Sequence, residues 1–312
     1  MLSLRQIADT ALEATVVGSF TKIGSRARGA LFDHAPVHVD LSGQRAVVTG
    51  SSSGIGRAAA AGLMALGAEV VVTSRSPERA AAAAADLNDA GHAGHASSLA
   101  VDTGDFESVE AAVAALGEGP PISMLCHNAG ALTDRYETNS AGIEQTLASH
   151  LIGPYLLTTR LRPRLTDGAR VVWMSSGGMY TQKFDLERLE MSERNYNGSV
   201  AYARAKRAQV ELVAHLGPKW APDVVMHSMH PGWVDTPGVA ASLPGFKKVT
   251  GPLLRNAEEG ADTMIWLAAT GGDHQPGTFW LDRRPRSTQY VPGTGGSDKQ
   301  REALVGWLDT FA

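Results

Sequence analysis

Two patterns of apolar residues divide this chain. Leu4, Ile7, Ala8, Leu12, Val16 and Val17 recur at the spacing of one helix face, with Arg5, Asp9 and Glu13 elsewhere, so residues 1–42 read as an N-terminal arm with helical character. From Arg45 the pattern changes. Short runs at Arg45–Thr49, Glu69–Thr73, Ser97–Val101, Met124–His127, Ala169–Ser175 and Val224–His230 are apolar on both faces, as in strands covered on two sides. Helical stretches alternate with them at Gly54–Leu66, Ser76 through Ala85, Asp105–Leu116, Ser140–Leu161, Val200–Leu216 and Glu258–Ala269. The second begins with a capping serine, Pro77 at the first helical position and Glu78 in the first turn. Pro154 falls inside the fourth and should kink it. Strict alternation predicts an α/β fold over residues 43–282, one doubly wound parallel sheet with helices on both faces. Ligands of such sheets sit beyond the carboxyl ends of the strands. Residues 283–297, rich in Arg, Pro, Gly and Ser, read as an irregular arm, and Lys299–Phe311 as a closing helix within a C-terminal segment 283–312.

Composition narrows the function classes. The 312 residues are 43% hydrophobic and 19% charged, which suits one sizeable core. A net charge of −4 argues against capture of nucleic acid. One cysteine, Cys126, excludes an internal disulfide and a cysteine-based zinc cluster, and no metal site is expected. A reducing, cytoplasmic setting follows, since the sequence lacks an apolar run of membrane-spanning length and a secretory signal pattern. The arm leaves two readings open: packing on the main domain, or a surface helix that touches a membrane or partner, helped by Lys22, Arg26 and Arg28.

The first strand ends in a glycine-rich turn. Gly50, Ser52, Ser53, Gly54, Ile55 and Gly56 stand between the strand and an Ala- and Leu-rich helix, where backbone N–H groups and the helix dipole can face a diphosphate. The spacing is one residue longer than the commonest dinucleotide fingerprint. The second strand ends in Ser74 and Arg75, a small residue and a planar cation that leave room for a 2′-phosphate, which favours NADP(H) over NAD(H). A solvated arginine heading the next helix is the alternative. Asp102, followed by Thr103, is placed to accept from an adenine amino group or to cap a helix. Asn128-Ala129-Gly130 ends the fourth strand with small residues that permit close approach to a cofactor.

The fifth strand ends at Ser175-Ser176. Downstream, Tyr202 and Lys206 lie four apart in a helix and so share a face. A phenol titrates near 10, and a hundredfold gain in phenolate at neutral pH takes about 2.7 kcal/mol, which an adjacent ammonium can supply. With a serine hydroxyl nearby, this is a proton-transfer site for carbonyl–alcohol interconversion, the partner of hydride transfer.

Thr49-Gly-Ser-Ser-Ser-Gly-Ile-Gly56, Asn128-Ala-Gly130, Ser176, Tyr202-x-x-x-Lys206 and Pro231-Gly232, in that order, resemble the short-chain dehydrogenase/reductase superfamily over residues 43–281. Ser175-Ser-Gly-Gly-Met179, Met229-His-Pro-Gly-Trp233, Asp235-Thr-Pro-Gly238, Pro244-Gly-Phe246, Gly260-Ala-Asp-Thr-Met264 and Asp282-Arg-Arg-Pro-Arg-Ser-Thr288 resemble one branch of it. The resemblance implies a Rossmann-type fold, Tyr202 as general acid/base, Lys206 on the ribose hydroxyls, and Ser176 polarising the substrate carbonyl. It adds Pro231, Gly232 and Thr236 to the cofactor residues. It also implies a homodimer or homotetramer built on Ser140–Leu161 and Val200–Leu216. One position departs from the pattern: where the superfamily carries an asparagine that holds a relay water, this chain has His150, an imidazole that either passes protons or fills space.

Two substrate loops are expected, about 177–200 and 233–256. The first carries Met179, Tyr180, Phe184, Leu186, Leu189, Met191 and Tyr196, with Trp233 and the stretch Pro237–Lys248, including Leu243 and Phe246, facing it. These residues suggest a pocket for a bulky lipophilic small molecule, with core packing of the long insertion as the rival. The function reading is therefore an NADP(H)-dependent oxidoreductase. A nucleotide-sensing or scaffold protein that keeps the fold without turnover is the alternative.

Overall fold

A computed structural model describes residues 3–130, 132–236, 248 and 250–312. The arm consists of α1 (Leu4–Glu13), α2 (Val16–Phe20) and α3 (Lys22–Leu31). Then come β1 (Arg45–Val48), α4 (Gly54–Ala65), β2 (Glu69–Ser74), α5 (Pro77–Asp89), β3 (His95–Ala100), α6 (Phe106–Gly117) and β4 (Ile122–His127). A short α7 (Gln145–Leu147) passes through a π-helical segment, Ala148–Ile152, into α8 (Gly153–Leu161). The second half holds β5 (Leu165–Met174), α9 (Gly198–Trp220), β6 (Val224–Met229), α10 (Ala257–Thr270), β7 (Phe279–Leu281), β8 (Arg284–Pro285) and α11 (Asp298–Leu308).

The eight strands form one sheet in the order β3-β2-β1-β4-β5-β6-β7-β8, parallel except for β8. Strand order reverses between β1 and β4, which opens a crevice at their carboxyl ends. One face is covered by α4, α5 and α10 through Ala59, Leu63, Leu87 and Met264. The other is covered by α6, α8 and α9 through Val109, Leu157 and Leu212. The single-domain α/β fold is thus the one the alternation predicts. β7 and β8 escape sequence reading because they are three and two residues long.

The fourth helix begins at Gln145 rather than Ser140. Asn139 accepts from the N–H groups of Ala141 and Ile143, both at 3.0 Å, holding a turn, and the Glu144 carboxylate then caps Thr146 and Leu147 at 2.7 and 2.9 Å. The interruption expected at Pro154 takes the form of the π segment: Gly153 N–H reaches back five residues to the carbonyl of Ala148 just before the proline, which has no N–H to give.

The arm packs on the domain in the reverse of the usual sense. Leu4 and Ile7 are 86% and 53% exposed, and Val17 and Ile23 also face outward. Asp9 and Arg28 point in. Arg28, expected to help a surface helix, is instead completely buried, with Nε on Asp9 (2.8 Å), Nη1 on Asp282 (2.9 Å) and Nη2 on Glu13 (3.1 Å). Three carboxylates around one guanidinium offset its loss of water, which no solvated face would do. Among the described residues no helix is long and apolar enough to cross a membrane. At the other end of the chain, α11 packs on α9 with Leu304 and Leu308 fully buried, and Arg301 reaches Glu211 at 2.8 Å. This segment thus packs against α9.

Candidate active site

A cleft of about 840 Å³ runs across the carboxyl ends of the central strands. Its floor is the glycine-rich turn. Gly50 has φ +65°, and a Cβ there would stand 2.8 Å from Ala129 Cα. At Gly56 an added Cβ would meet Asn128 Nδ2 at 2.4 Å and the Gly50 carbonyl at 2.5 Å. Only glycine allows this approach. Asn128 pins the turn, donating from its amide to the carbonyls of Thr49 (2.9 Å) and Gly50 (3.1 Å). Thr49 Oγ1 accepts in return from Asn128 N and Ala129 N, both at 3.0 Å. From the other side Thr73 Oγ1 accepts from Gly50 N at 3.0 Å. The turn is rigid before any ligand arrives, and α4 starts directly behind it at Gly54.

Every site residue named from the sequence lines this one cleft. Ser52, Ser53, Ile55, Ser74, Arg75, Asp102, Thr103, Ala129, Gly130, Pro231, Gly232 and Thr236 lie along it with the glycines, Asn128, His150, Ser176, Tyr202 and Lys206. Asp102 does not cap the next helix; Asp105 does, accepting from Glu107 N, while Asp102 accepts from Gly104 N at 2.9 Å and keeps its place in the wall. Thr103 is buried, its hydroxyl donated to the Ser149 carbonyl. Arg79 also lines the cleft and was missed by sequence reading. It stands in the first turn of α5, whereas Arg75 precedes the capping Ser76, so no helical spacing links the two.

At the other end the two serines separate. Ser175 is buried and donates to the Lys206 carbonyl at 2.8 Å, whereas Ser176 opens to the cleft, accepting from Gly178 N at 3.2 Å. Burial raises the Tyr202 phenol above its ordinary pKa, and the hydrogen bond with Ser176 works against that rise. Lys206 lies beside the ring, its Nζ 5.5 Å from the centroid and 2.7 Å from the Met174 carbonyl it donates to. Burial lowers its pKa to about 7. Burial thus acts on both groups in opposite senses, raising the phenol and lowering the ammonium. His150 is buried in the π segment, edge-on to Tyr202 with ring centroids 5.0 Å apart.

The insertion between Ser176 and Tyr202 behaves as core. Met179, Phe184, Leu189 and Met191 are buried, and Leu186 packs against the same cluster. Tyr180 stacks on Tyr290 at 4.0 Å, and Tyr196 shares a 2.9 Å hydrogen bond with Thr146. Of this loop Gly178, Thr181 and Ser199 line the cleft, joined by Trp233 and Val234 of the second loop. An insertion this long had to bury its apolar residues, and the rear of α9 offered the room. Leu243 and Phe246, with the rest of 237–247, lie outside the described residues.

The short chain dehydrogenase family profile matches residues 44–245. The chain is 34% identical over 302 residues to dehydrogenase/reductase SDR family member 12 of Bos taurus, covering 94% of each protein. It is 32% identical over 252 residues to retinol dehydrogenase 14 of Mus musculus, covering 74% of this chain and 75% of that one. A short-chain dehydrogenase from Burkholderia cenocepacia solved in complex with NADP superposes with a TM-score of 0.60 at 25% identity, covering 77% of this chain and 96% of that one. Glycine turn, sheet order and near full-length similarity agree: this chain belongs to the short-chain dehydrogenase/reductase family of oxidoreductases acting on alcohol and carbonyl groups.

Proposed function

We propose that the protein is an NADP(H)-dependent oxidoreductase that interconverts a carbonyl and an alcohol on a bulky lipophilic small molecule. The observation that carries this reading is one cleft with Ser176, Tyr202 and Lys206 at one end and the glycine turn with Arg75 and Arg79 at the other. The residues fit a dinucleotide. Gly50 to Gly56 and the first turn of α4 would hold the diphosphate. Ser74, Arg75 and Arg79 would take a 2′-phosphate, Asp102 and Thr103 the adenine end, and Asn128–Gly130, Lys206, Pro231, Gly232 and Thr236 the nicotinamide riboside. Once bound, NADP(H) supplies or accepts the hydride.

The chain supplies the proton. Burial keeps the Tyr202 phenol protonated at neutral pH, which suits it to donate to a carbonyl oxygen as that oxygen gains charge. The Ser176 hydroxyl steadies the same oxygen. A protonated Lys206 favours the phenolate that remains and eases the return step. His150, edge-on to the phenol, is the nearest imidazole through which that proton could be replaced.

Two guanidinium groups at the adenosine end favour NADP(H), in keeping with the NADP held by the Burkholderia relative. Ile55, Leu132, Trp233 and Val234 in the walls, and a relative named for retinol, support a lipophilic substrate. The test is NADPH consumption with hydrophobic carbonyl probes such as phenanthrenequinone and decanal. Tyr202→Phe is expected to lower turnover by about 10²–10⁴-fold while NADPH still binds in a fluorescence titration. Turnover retained in that variant overturns the proton-donor assignment.

A further inference from the structure

The arm touches the catalytic end at one corner. The Phe20 carbonyl accepts from Trp233 N at 2.7 Å and from Arg255 Nε at 3.2 Å. Its ring lies nearly parallel to the Trp233 ring, 5.8 Å between centroids, and tilts against His230 at 5.1 Å. On its other side it meets Gly177, where an added Cβ would stand 2.8 Å from the ring edge. Phe20 thus fills the angle between the loop leaving β5, which carries Ser176, and the loop leaving β6, which carries Pro231 to Thr236.

Behind that corner the contacts are charged and directional. The Ser19 carbonyl accepts from Arg28 Nη1 and Arg255 Nη2, both at 3.1 Å. Asp282 receives both arginines, and Asp9 couples Arg28 to Arg286. Arg255 is itself laced into the wall, its N–H on the Trp233 carbonyl and its carbonyl on Asp235 N, at 2.7 and 2.8 Å. Gly232 is pressed between the Arg255 guanidinium and the Phe20 carbonyl, with no room for a Cβ. An arm that served only to cover apolar surface would turn its apolar stripe inward. This one leaves Leu4, Ile7 and Val17 exposed and turns Asp9 and Arg28 inward onto Arg286 and Asp282, beside the Arg255 that braces the loop leaving β6.

We propose that the Ser19–Phe20 corner positions the reaction, with Phe20 and Arg255 as positioning residues that set where Gly232 and Trp233 stand relative to Ser176 and Tyr202. The inference rests on the oxidoreductase reading. Reacting groups displaced by about 1 Å lose on the order of 10²-fold in rate, so a wall gripped from outside the domain bears directly on turnover. The glycine turn, pinned by Thr49, Thr73 and Asn128, owes nothing to the arm. Gly232 would also face the nicotinamide riboside, so the corner touches nucleotide binding at that one end, and affinity should fall far less than turnover.

The experiment uses the full-length protein, Phe20→Ala and Phe20→Leu, NADPH titrated by fluorescence, and kcat and KM with phenanthrenequinone using NADPH and its deuterated form. Phe20→Ala is expected to lower kcat about 10-fold or more with NADPH affinity within about twofold, to raise the isotope effect on kcat, and to be partly rescued by the bulkier Phe20→Leu. Unchanged kcat in soluble, folded Phe20→Ala overturns the inference, as does a loss shared equally by NADPH affinity. Should Phe20→Ala aggregate, Phe20→Leu is read by the same criteria: an intermediate fall in kcat alone supports the corner, and wild-type kinetics overturn it. A wild-type protein that binds no NADPH instead removes the oxidoreductase reading, a separate failure visible before any variant is made.

Discussion

The two ends of the cleft are built by different means. The nucleotide end is backbone, small side chains and short-range hydrogen bonds among three adjacent strands. The substrate end is held by buried arginines whose partners are more than two hundred residues away in sequence, Arg28 to Asp282 and Phe20 to Arg255. A site made of backbone tolerates little change of shape, whereas one made of ion pairs depends on charge. The contrast predicts which substitutions should be felt where.

Arg28→Leu should be the largest blow, about 3–5 kcal/mol in urea denaturation, because it leaves buried carboxylates facing an apolar side chain. The same cluster sets an acid limit. Asp9 and Asp282 resist burial, which would raise their pKa, because arginine hydrogen bonds and charges hold them below the ordinary carboxylate value. Their stabilisation is present above roughly pH 4 and lost as pH falls through the depressed folded values. Arg28→Leu should flatten that acid limb, and a limb of unchanged steepness would assign it to other carboxylates. Gly56→Val should cost about 2–4 kcal/mol and abolish NADPH binding, since a side chain there must displace Asn128 or the Gly50 carbonyl. Arg75→Asp combined with Arg79→Ala should shift preference from NADPH towards NADH by about 10–100-fold, with stability unchanged within about 0.5 kcal/mol. Equal binding of both cofactors by the parent protein would contradict the reading of these two side chains.

The smallest effect runs opposite to intuition. Lys206 is protonated in the unfolded chain up to its ordinary value near 10.5, but in the fold burial lowers its pKa to about 7. Below about pH 7 the fold carries the full desolvation cost, and stability rises from there towards pH 10 as the unfolded chain binds more protons. Lys206→Met should therefore raise the unfolding free energy at pH 7 by about 1–2 kcal/mol in urea denaturation and remove that rise, while turnover is lost. A destabilised Lys206→Met would mean that the hydrogen bond to Met174 outweighs the desolvation.

Legibility followed the same division. Strands, helices and the glycine turn could be read from sequence because each is specified by neighbours within a few residues. Tyr202 and Lys206 could be paired because a helix brings positions four apart together. Arg79 was out of that rule's reach, because Arg75 precedes the helix that carries it. The insertion from Gly177 reads equally as substrate mouth or as core, because apolar residues on a loop look alike whether they meet a ligand or the back of a helix; burial of Phe184 and Leu189 decides for the helix. The inward turn of Asp9 and Arg28 was not readable, since a charged helix face ordinarily meets water and the partners that reverse this lie at positions 282 and 286. The π segment at Ala148–Ile152 shows as little more than a proline in sequence.

The arm has a consequence for biosynthesis. It is made before the groups that receive it, Trp233, Arg255, Asp282 and Arg286, which follow it by more than two hundred residues. Until then Phe20 has nowhere to dock and Asp9 and Arg28 lack their distant partners, so the segment stays unsatisfied while the residues between are made. Closure of this corner therefore waits until Asp282 and Arg286 have been made.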